Sequence, residues 1–324
     1  MSEILTLSRP EIEALLQIED GFEPVKDAYI AVTDGSCDLP PVGYLGFPDA
    51  KGDCHIKYGH IIGDPVFVIK IATGFDDNPS KRLASSNGIM LALSAETGEV
   101  MAILQDEGYL TDLRTGIGAA LATKAGCRSD AQRVGVVGTG IQARIQIRCL
   151  NALMPDAGFV FSVWGRSPEK MNHLVQDLAA HQISVTVQPD LEALCADADI
   201  LLTTTSTKTP LIHSDWISKG THITASGADA PGKQELDSAL TARADLLILD
   251  SDAQCIDHGE VAIPAEAGLL SSDRYRTLGK ILSGQQAGRS ASSQITIADL
   301  TGLGSQDIAI ARTALDAYAR QDRS

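Results

Sequence analysis

Residues 133–150 read RVGVVGTGIQARIQIRCL, and this stretch decides the fold. Val134, Val136 and Val137 form a short β-branched run of the kind found in a buried parallel strand. Gly138-Thr139-Gly140 follows at once, and Ala143 takes the third small position of a G-x-G-x-x-A pattern. Ile141 and Gln142 then open a helix-length run. Strand, tight glycine turn and helix N-terminus together make a pyrophosphate site. The glycines let backbone N–H groups approach the phosphates, and the helix end adds partial positive charge. An ordinary strand–turn–helix corner is the plainer alternative, and the flanking periodicity argues against it.

Working outward, the pattern after residue 133 alternates strand and helix. Strands are predicted at 134–137, 159–164, 185–187, 200–204, 222–226 and 246–250, with helices at 142–154, 168–180, 191–197 and 234–242. Such alternation predicts an α/β fold, a Rossmann-type doubly wound parallel sheet. Before it the character differs. The opening MSEILTLSRPEIEALL reads as a strand and then a helix started by Ser8 and Pro10. Strand-like runs follow at 28–32, 43–47, 54–58 and 66–73, and a hairpin at 88–94 and 99–104 turns at Thr97-Gly98. This front part predicts a mostly antiparallel sheet with one early helix. A helix follows at 110–125 with Thr111 as its cap. The last helix, 307–320, is expected to pack back on the front part. The expected domains are therefore 1–125 with 305–324, a discontinuous α+β substrate and dimerisation domain, and 126–304, the dinucleotide domain.

Composition sets the outer bounds. The chain has 324 residues, 44% of them apolar, which is enough for about two domains with full cores. A formal charge of -16 argues against nucleic acid or an anionic membrane as partner. It also makes a basic residue inside an apolar segment informative. The six cysteines form no C-x-x-C pair and no His/Cys cluster, so neither a disulfide framework nor a metal site is expected. No basic leader and no apolar run of about 18 residues is seen, which predicts a cytoplasmic protein.

In a dinucleotide fold the second strand usually ends in an acid for the adenosine ribose. Here the second strand ends Trp164-Gly165-Arg166-Ser167. Arg166 and Ser167 stand where a 2′-phosphate would lie, which favours NADP. If Arg166 only stacks on adenine, NAD is used as well.

Four phrases now converge: IKIATGF at 69–75 with Asn78-Pro79, LTDLRT at 110–115, VGTGIQA at 137–143 and GADAPGKQEL at 227–236. In order and over nearly the whole chain, they resemble the ornithine cyclodeaminase/μ-crystallin family. The resemblance implies a dinucleotide domain plus a domain whose sheet closes a barrel with that of a second subunit, hence a homodimer. It also implies NAD(P)-linked chemistry at a carbon bearing an amino or imino group. Family membership alone does not choose the reaction, because members include cyclodeaminases, alanine dehydrogenases, imino acid reductases and a hormone-binding crystallin.

Lys70 lies within an apolar strand, where a lone ammonium is costly unless it is paired or faces a cavity. By resemblance it matches the family's active-site lysine; the alternative is an edge-strand lysine in solvent. Arg114 stands on an otherwise small and apolar helix and suits bidentate carboxylate binding. By resemblance it matches the substrate-carboxylate arginine, and with Thr115 it lies close to the cofactor phosphates. A pair with Asp112 is disfavoured by helix spacing. Asp229 follows the strand at 222–226, at the edge where ligands sit in such sheets. By resemblance it is the family's acid/base residue, and the crystallin branch lacks it; a helix-capping role is the alternative. Thr204, Ser206 and Gly227 are expected beside the nicotinamide.

Lys57 departs from the cyclodeaminase pattern, which has an acid at that position. A lysine there repels a diamino acid and attracts a second carboxylate, unless it is simply an exposed strand residue. The expected reaction is therefore NAD(P)H-dependent reduction of a small anionic 2-imino acid, with iminosuccinate to L-aspartate the best match. The alternatives are an ornithine cyclodeaminase or pyrroline-2-carboxylate reductase, and a μ-crystallin-like NADP-binding protein.

Overall fold

The computed structural model describes residues 4–321 and divides into two compact units. One comprises the chain up to Arg114 together with the segment from Leu303 onward; the other is Thr115–Gly302. The first three residues of the opening strand–helix run, and the last three of the chain, lie outside the described residues.

The first unit begins with β1 (Leu5–Ser8), α1 (Arg9–Leu15) and α2 (Phe22–Thr33). Ser8 N donates to Glu11 Oε2 at 2.8 Å, and Pro10 occupies the first turn of α1. Residues 28–32 are helical rather than a strand. Phe22, Val25, Ala28 and Tyr29 are buried, a three-to-four spacing that begins upstream of the short run AYIAV. The sheet strands follow as β2 (Cys37–Asp38), β3 (Gly43–Phe47), β4 (Gly52–Ile61), β5 (Val66–Phe75), β6 (Ser86–Ser94) and β7 (Val100–Gln105). They lie in the order β1-β7-β6-β5-β4-β2, with β3 also on β4. All pairs are antiparallel except β1 with β7, so the unit has a parallel edge strand and two early helices where one was expected. Gly98, at φ +73°, closes the β6–β7 hairpin at the expected turn. Alternation along these strands sorts the two faces. Val66, Val68, Lys70, Met90, Ala92, Ala102 and Leu104 are buried on one. Ile69, Ile71, Ile89, Leu91 and Ile103 stay half-exposed on the other.

α3 (Tyr109–Gly126) leaves this unit. Thr111 lies within its first turn and is not its cap. Asp106 takes the capping part, its Oδ2 accepting from Leu110 N at 2.9 Å.

The second unit runs β8 (Arg133–Val137), α4 (Ile141–Leu153), β9 (Val160–Trp164), α5 (Pro168–Ala179), β10 (Val185–Val187), α6 (Leu191–Asp197), β11 (Ile200–Thr203) and β12 (His222–Ala225). It continues with α7 (Ser238–Arg243), β13 (Leu246–Leu249), α8 (Asp252–His258), α9 (Ala262–Glu266), β14 (Tyr275–Thr277), α10 (Leu278–Leu282) and β15 (Thr296–Asp299). Its eight strands are all parallel, in the order β10-β9-β8-β11-β12-β15-β13-β14. Chain order reverses between β8 and β11, which creates the switch-point crevice of a doubly wound sheet. Residues 234–237 are extended, not helical. Leu236 bridges Ile212, and α7 starts only after Asp237, whose Oδ1 caps Leu240 N at 2.6 Å. Both faces of the sheet are covered, so Leu201, Ile223, Leu247, Leu249 and Ile297 are all fully buried.

α11 (Gly304–Gln321) returns to the first unit and packs on α2, β4 and β5. It thereby covers the face of the antiparallel sheet that carries Lys70. Among the described residues, no helix is long and apolar enough to cross a membrane.

Candidate active site

In the second unit, β8 ends in the glycine turn. Gly138 has φ +126°, and a Cβ there would lie 2.3 Å from Thr204 Oγ1, so only glycine fits. Its N–H donates to Trp164 O at 2.9 Å, which ties the turn to the end of β9. Gly140 is the N-cap of α4 and has no side chain to satisfy the first-turn N–H groups. These groups are suited to a phosphate. Arg144 braces the turn from behind, donating to Thr139 O at 2.5 Å and Gly140 O at 3.0 Å while pairing with Asp177. At the end of β9, Arg166 is exposed and no acid is present. Ser167 caps α5 by accepting from Lys170 N at 3.3 Å. The residues present therefore fit a dinucleotide at this edge.

The ends of β11 and β12 are stapled by one side chain that the sequence did not single out. Glu235 is buried and accepts from Thr203 Oγ1 at 2.7 Å, Thr205 N at 2.6 Å, Thr205 Oγ1 at 2.7 Å and Gly227 N at 2.9 Å. Gly227 is packed so closely that a Cβ would sit 2.1 Å from Thr205 O. Thr204 Oγ1 donates to Val137 O at 3.2 Å, and Ser206 is exposed beyond it. Below this staple lie Glu260, which accepts from Glu235 N and Leu236 N, and Asp299, which accepts from Val261 N. Burial raises all three carboxyls: Glu235 upward, Glu260 well above its ordinary value, and Asp299 to about 7. Asp229 is exposed in the loop after β12, with Oδ1 2.6 Å from Lys233 Nζ.

The cations of the first unit form their own cluster. Lys57 and Lys70 are direct register partners on β4 and β5, so both side chains rise from the same face of the sheet. A Cβ at Gly304 would lie 3.9 Å from Lys57 Cβ, which places the root of that lysine at the N-terminus of α11. Lys70 is 2% exposed, and its Nζ lies 3.1 Å from Asp307 Oδ2. Asp307 Oδ1 accepts from Arg114 Nε at 2.8 Å. Asp307, not Asp112, is thus the partner of Arg114. Burial alone would raise the Asp307 carboxyl, but Arg114, Lys70 and Lys57 together hold it below the carboxylate range. Burial lowers the Lys70 ammonium, with Asp307 pulling up and Arg114 pulling further down.

Comparison with known proteins fits this geometry. The family model of the ornithine cyclodeaminase/mu-crystallin family matches residues 3–321. The chain belongs to that family. Within it, an uncharacterized cyclodeaminase of Sinorhizobium fredii is 38% identical over 312 residues, 95% of this chain and 94% of that protein. Among solved structures, an archaeal alanine dehydrogenase dimer with bound NAD has a TM-score of 0.90 at 29% identity, covering 98% of this chain and 97% of that one. The iminosuccinate reductase of Paracoccus denitrificans in complex with NAD+ has a TM-score of 0.88 at 28% identity, again covering 98% and 97%.

This member of the ornithine cyclodeaminase/mu-crystallin family gathers its predicted residues into two sets. Lys57, Lys70 and Arg114 share one cluster in the first unit. Thr115, Gly138 to Ala143, Arg166, Ser167, Thr204, Ser206, Gly227 and Asp229 belong to the second. Two residues of these sets, Asp307 and Glu235, are not among the candidates that the sequence patterns pick out. Asp307 had one available signal: it is an acid in the first turn of a helix whose next residues, Ile308 to Ala311, are all apolar. Glu235 lies in the GADAPGKQEL segment at 227–236, whose end has a helix-like composition that hides a buried staple.

Proposed function

We propose that this chain is an NAD(P)-dependent oxidoreductase that reduces a small 2-imino acid to the amino acid, with iminosuccinate to L-aspartate as the reaction. The observation that carries the substrate is the register pair Lys57–Lys70, on one face of the sheet and covered by α11. Three cations, Lys57, Lys70 and Arg114, act on the buried carboxylate of Asp307. A cluster so rich in cations suits an anionic substrate and opposes the ammonium of ornithine.

The glycine turn at Gly138–Ala143 and the first turn of α4 would hold the pyrophosphate, with Thr115 beside the phosphates. Arg166 and Ser167 would meet the adenosine end, and the absence of an acid there supports NADP alongside NAD. Thr204, Ser206 and Gly227 would flank the nicotinamide. Bound NAD(P)H supplies the hydride that adds to the imine carbon. Arg114 and Lys70 bind the α-carboxylate and fix that carbon in place, while Lys57 binds the second carboxylate. Asp229 hands a proton to the imine nitrogen as the C=N π pair moves onto it, so an amine leaves. The presence of Asp229 supports turnover over mere binding. The half-exposed aliphatic face of the antiparallel sheet, with Met101 47% exposed at its margin, supports a second copy of the chain as its cover.

The test is NADH and NADPH oxidation with oxaloacetate plus ammonium, set against pyruvate plus ammonium and against ornithine alone. Aspartate formed in preference to alanine is the expected result. Proline and ammonia released from ornithine would make the chain a cyclodeaminase instead.

A further inference from the structure

We infer that Asp307 is a positioning residue of the anion site, holding the Arg114 guanidinium by its inner edge and keeping Lys70 beside it as the second half of one carboxylate grip. This rests on the reading of Lys70 and Arg114 as substrate ligands and adds the residue that makes both usable.

Like charges directly opposite on neighbouring strands repel, and Lys57 faces Lys70 in that way. Lys70 is also almost fully buried, and Arg114 lies on the same carboxylate. An ammonium so placed would give up its proton without a close anion. Asp307 is that anion: its Oδ1 accepts from Arg114 Nε at 2.8 Å, and its Oδ2, which accepts no hydrogen bond among the described residues, lies in ion-pair contact with Lys70 Nζ at 3.1 Å. It sits in the first turn of an 18-residue helix, where the helix dipole favours negative charge. Its neighbour Gln306 locks that turn, accepting from Leu303 N at 2.8 Å and donating to Tyr29 Oη at 2.9 Å.

The contact on Arg114 is made through Nε. Nη1 has only a 3.4 Å contact with Gln306 Oε1, and Nη2 makes no hydrogen bond among the described residues. The outer edge of the fork is thus left for a ligand carboxylate, while the inner edge is fixed. Other groups also stand around Lys70, one of them a carboxylate. β4 brings Lys57 and, two positions along the same face, His55; β6 brings the neutral Met90. The β7–α3 connection brings a second carboxylate, Asp106, whose Oδ2 accepts from Leu110 N and whose buried Oδ1 has no hydrogen-bond partner among the described residues; it also favours the charged Lys70, but the ion pair with Lys70 Nζ is made by Asp307.

The experiment compares wild type, Asp307→Asn and Asp307→Glu. Succinate, a non-reacting dicarboxylate, is titrated by calorimetry between pH 6 and pH 9, and imine reduction is followed over the same range. Wild-type succinate binding is expected to stay level across that window. In Asp307→Asn the alkaline loss of binding and of kcat/KM should move down by about one pH unit or more. The KM for the imino acid should rise about tenfold, with the KM for NAD(P)H unchanged and Asp307→Glu partly restored. A loss of equal size at every pH, or tighter succinate binding in Asp307→Asn, would overturn the inference. If Asp307→Asn does not fold, the wild-type profile decides: succinate binding already lost by pH 8 contradicts a Lys70 held charged. Should wild type bind succinate as described yet reduce no imine, the proposed reaction fails and the role of Asp307 stands.

Discussion

Replacing Glu235 by Gln tests whether one buried carboxylate shapes the nicotinamide edge. Four donors converge on Glu235: two backbone N–H groups, of Thr205 and Gly227, and two hydroxyls, of Thr203 and Thr205. Thr205 N meets Oε1 and Gly227 N meets Oε2, so each carboxylate oxygen serves one backbone N–H. Glutamine keeps only one acceptor oxygen. The hydroxyls can rotate to donate elsewhere, but whichever way the amide turns, one backbone N–H faces an NH2 group. A buried donor left in that state costs about 1–3 kcal/mol. At about 1.4 kcal/mol per decade, this is roughly a five- to 150-fold loss in the affinity of whatever ligand needs those two loops in place. With the nicotinamide placed as proposed, beside Thr204, Ser206 and Gly227, NAD(P)H needs them and the matching ADP-ribose, which lacks the nicotinamide, does not. Fluorescence titration with NAD(P)H and calorimetry with ADP-ribose should therefore diverge in Glu235→Gln, the first weakened and the second unchanged. Equal weakening of both ligands would refute the reasoning, because Glu235 would then support the domain as a whole. Unchanged binding of both would refute it equally.

Two further outcomes follow from single positions. Gly138→Ala puts a Cβ 2.3 Å from Thr204 Oγ1 at φ +126°, a conformation costing a side chain about 1–3 kcal/mol. The variant should fold yet bind NAD(P)H at least about tenfold more weakly; wild-type affinity in a titration would contradict this. The Asp299 carboxyl, at about 7 when folded, binds more protons in the folded than in the unfolded chain between its unfolded value of about 3.9 and about pH 7. This group therefore withdraws stability as pH rises from about 4 to about 7, with no further loss above that. Asp299→Asn keeps an oxygen for Val261 N and does not ionise, so its Tm should decline less than that of wild type between pH 5 and pH 8. Parallel Tm curves would speak against it.

The parallel unit was legible because its strands are buried on both faces and punctuated by glycine and capping residues. VGVVG and LLIL leave little choice of period. The early helix α2 is hidden in the sequence because AYIAV is too short to show its period, and the deciding residues, Phe22 and Val25, lie upstream. Residues 234–237 look helical by composition, yet Gln234 N and Asp237 N are taken by Thr207 O and Ile212 O, which hold the segment extended. Lys70 and Arg114 were visible as charges in apolar runs. Their partner was not, because Asp307 lies 193 residues beyond Arg114 and looks like any acid in a first helical turn. Local pattern shows a buried charge; only tertiary structure supplies its counter-ion.

Whether Lys57 makes the site select a second carboxylate is decided by the Lys57→Glu variant. The measurement is kcat/KM for the imine of oxaloacetate relative to that of pyruvate, in wild type and variant. Wild type should favour the diacid, and Lys57→Glu should lower this ratio by at least about tenfold, close to 1.4 kcal/mol. An unchanged ratio, with both substrates impaired alike, would contradict it.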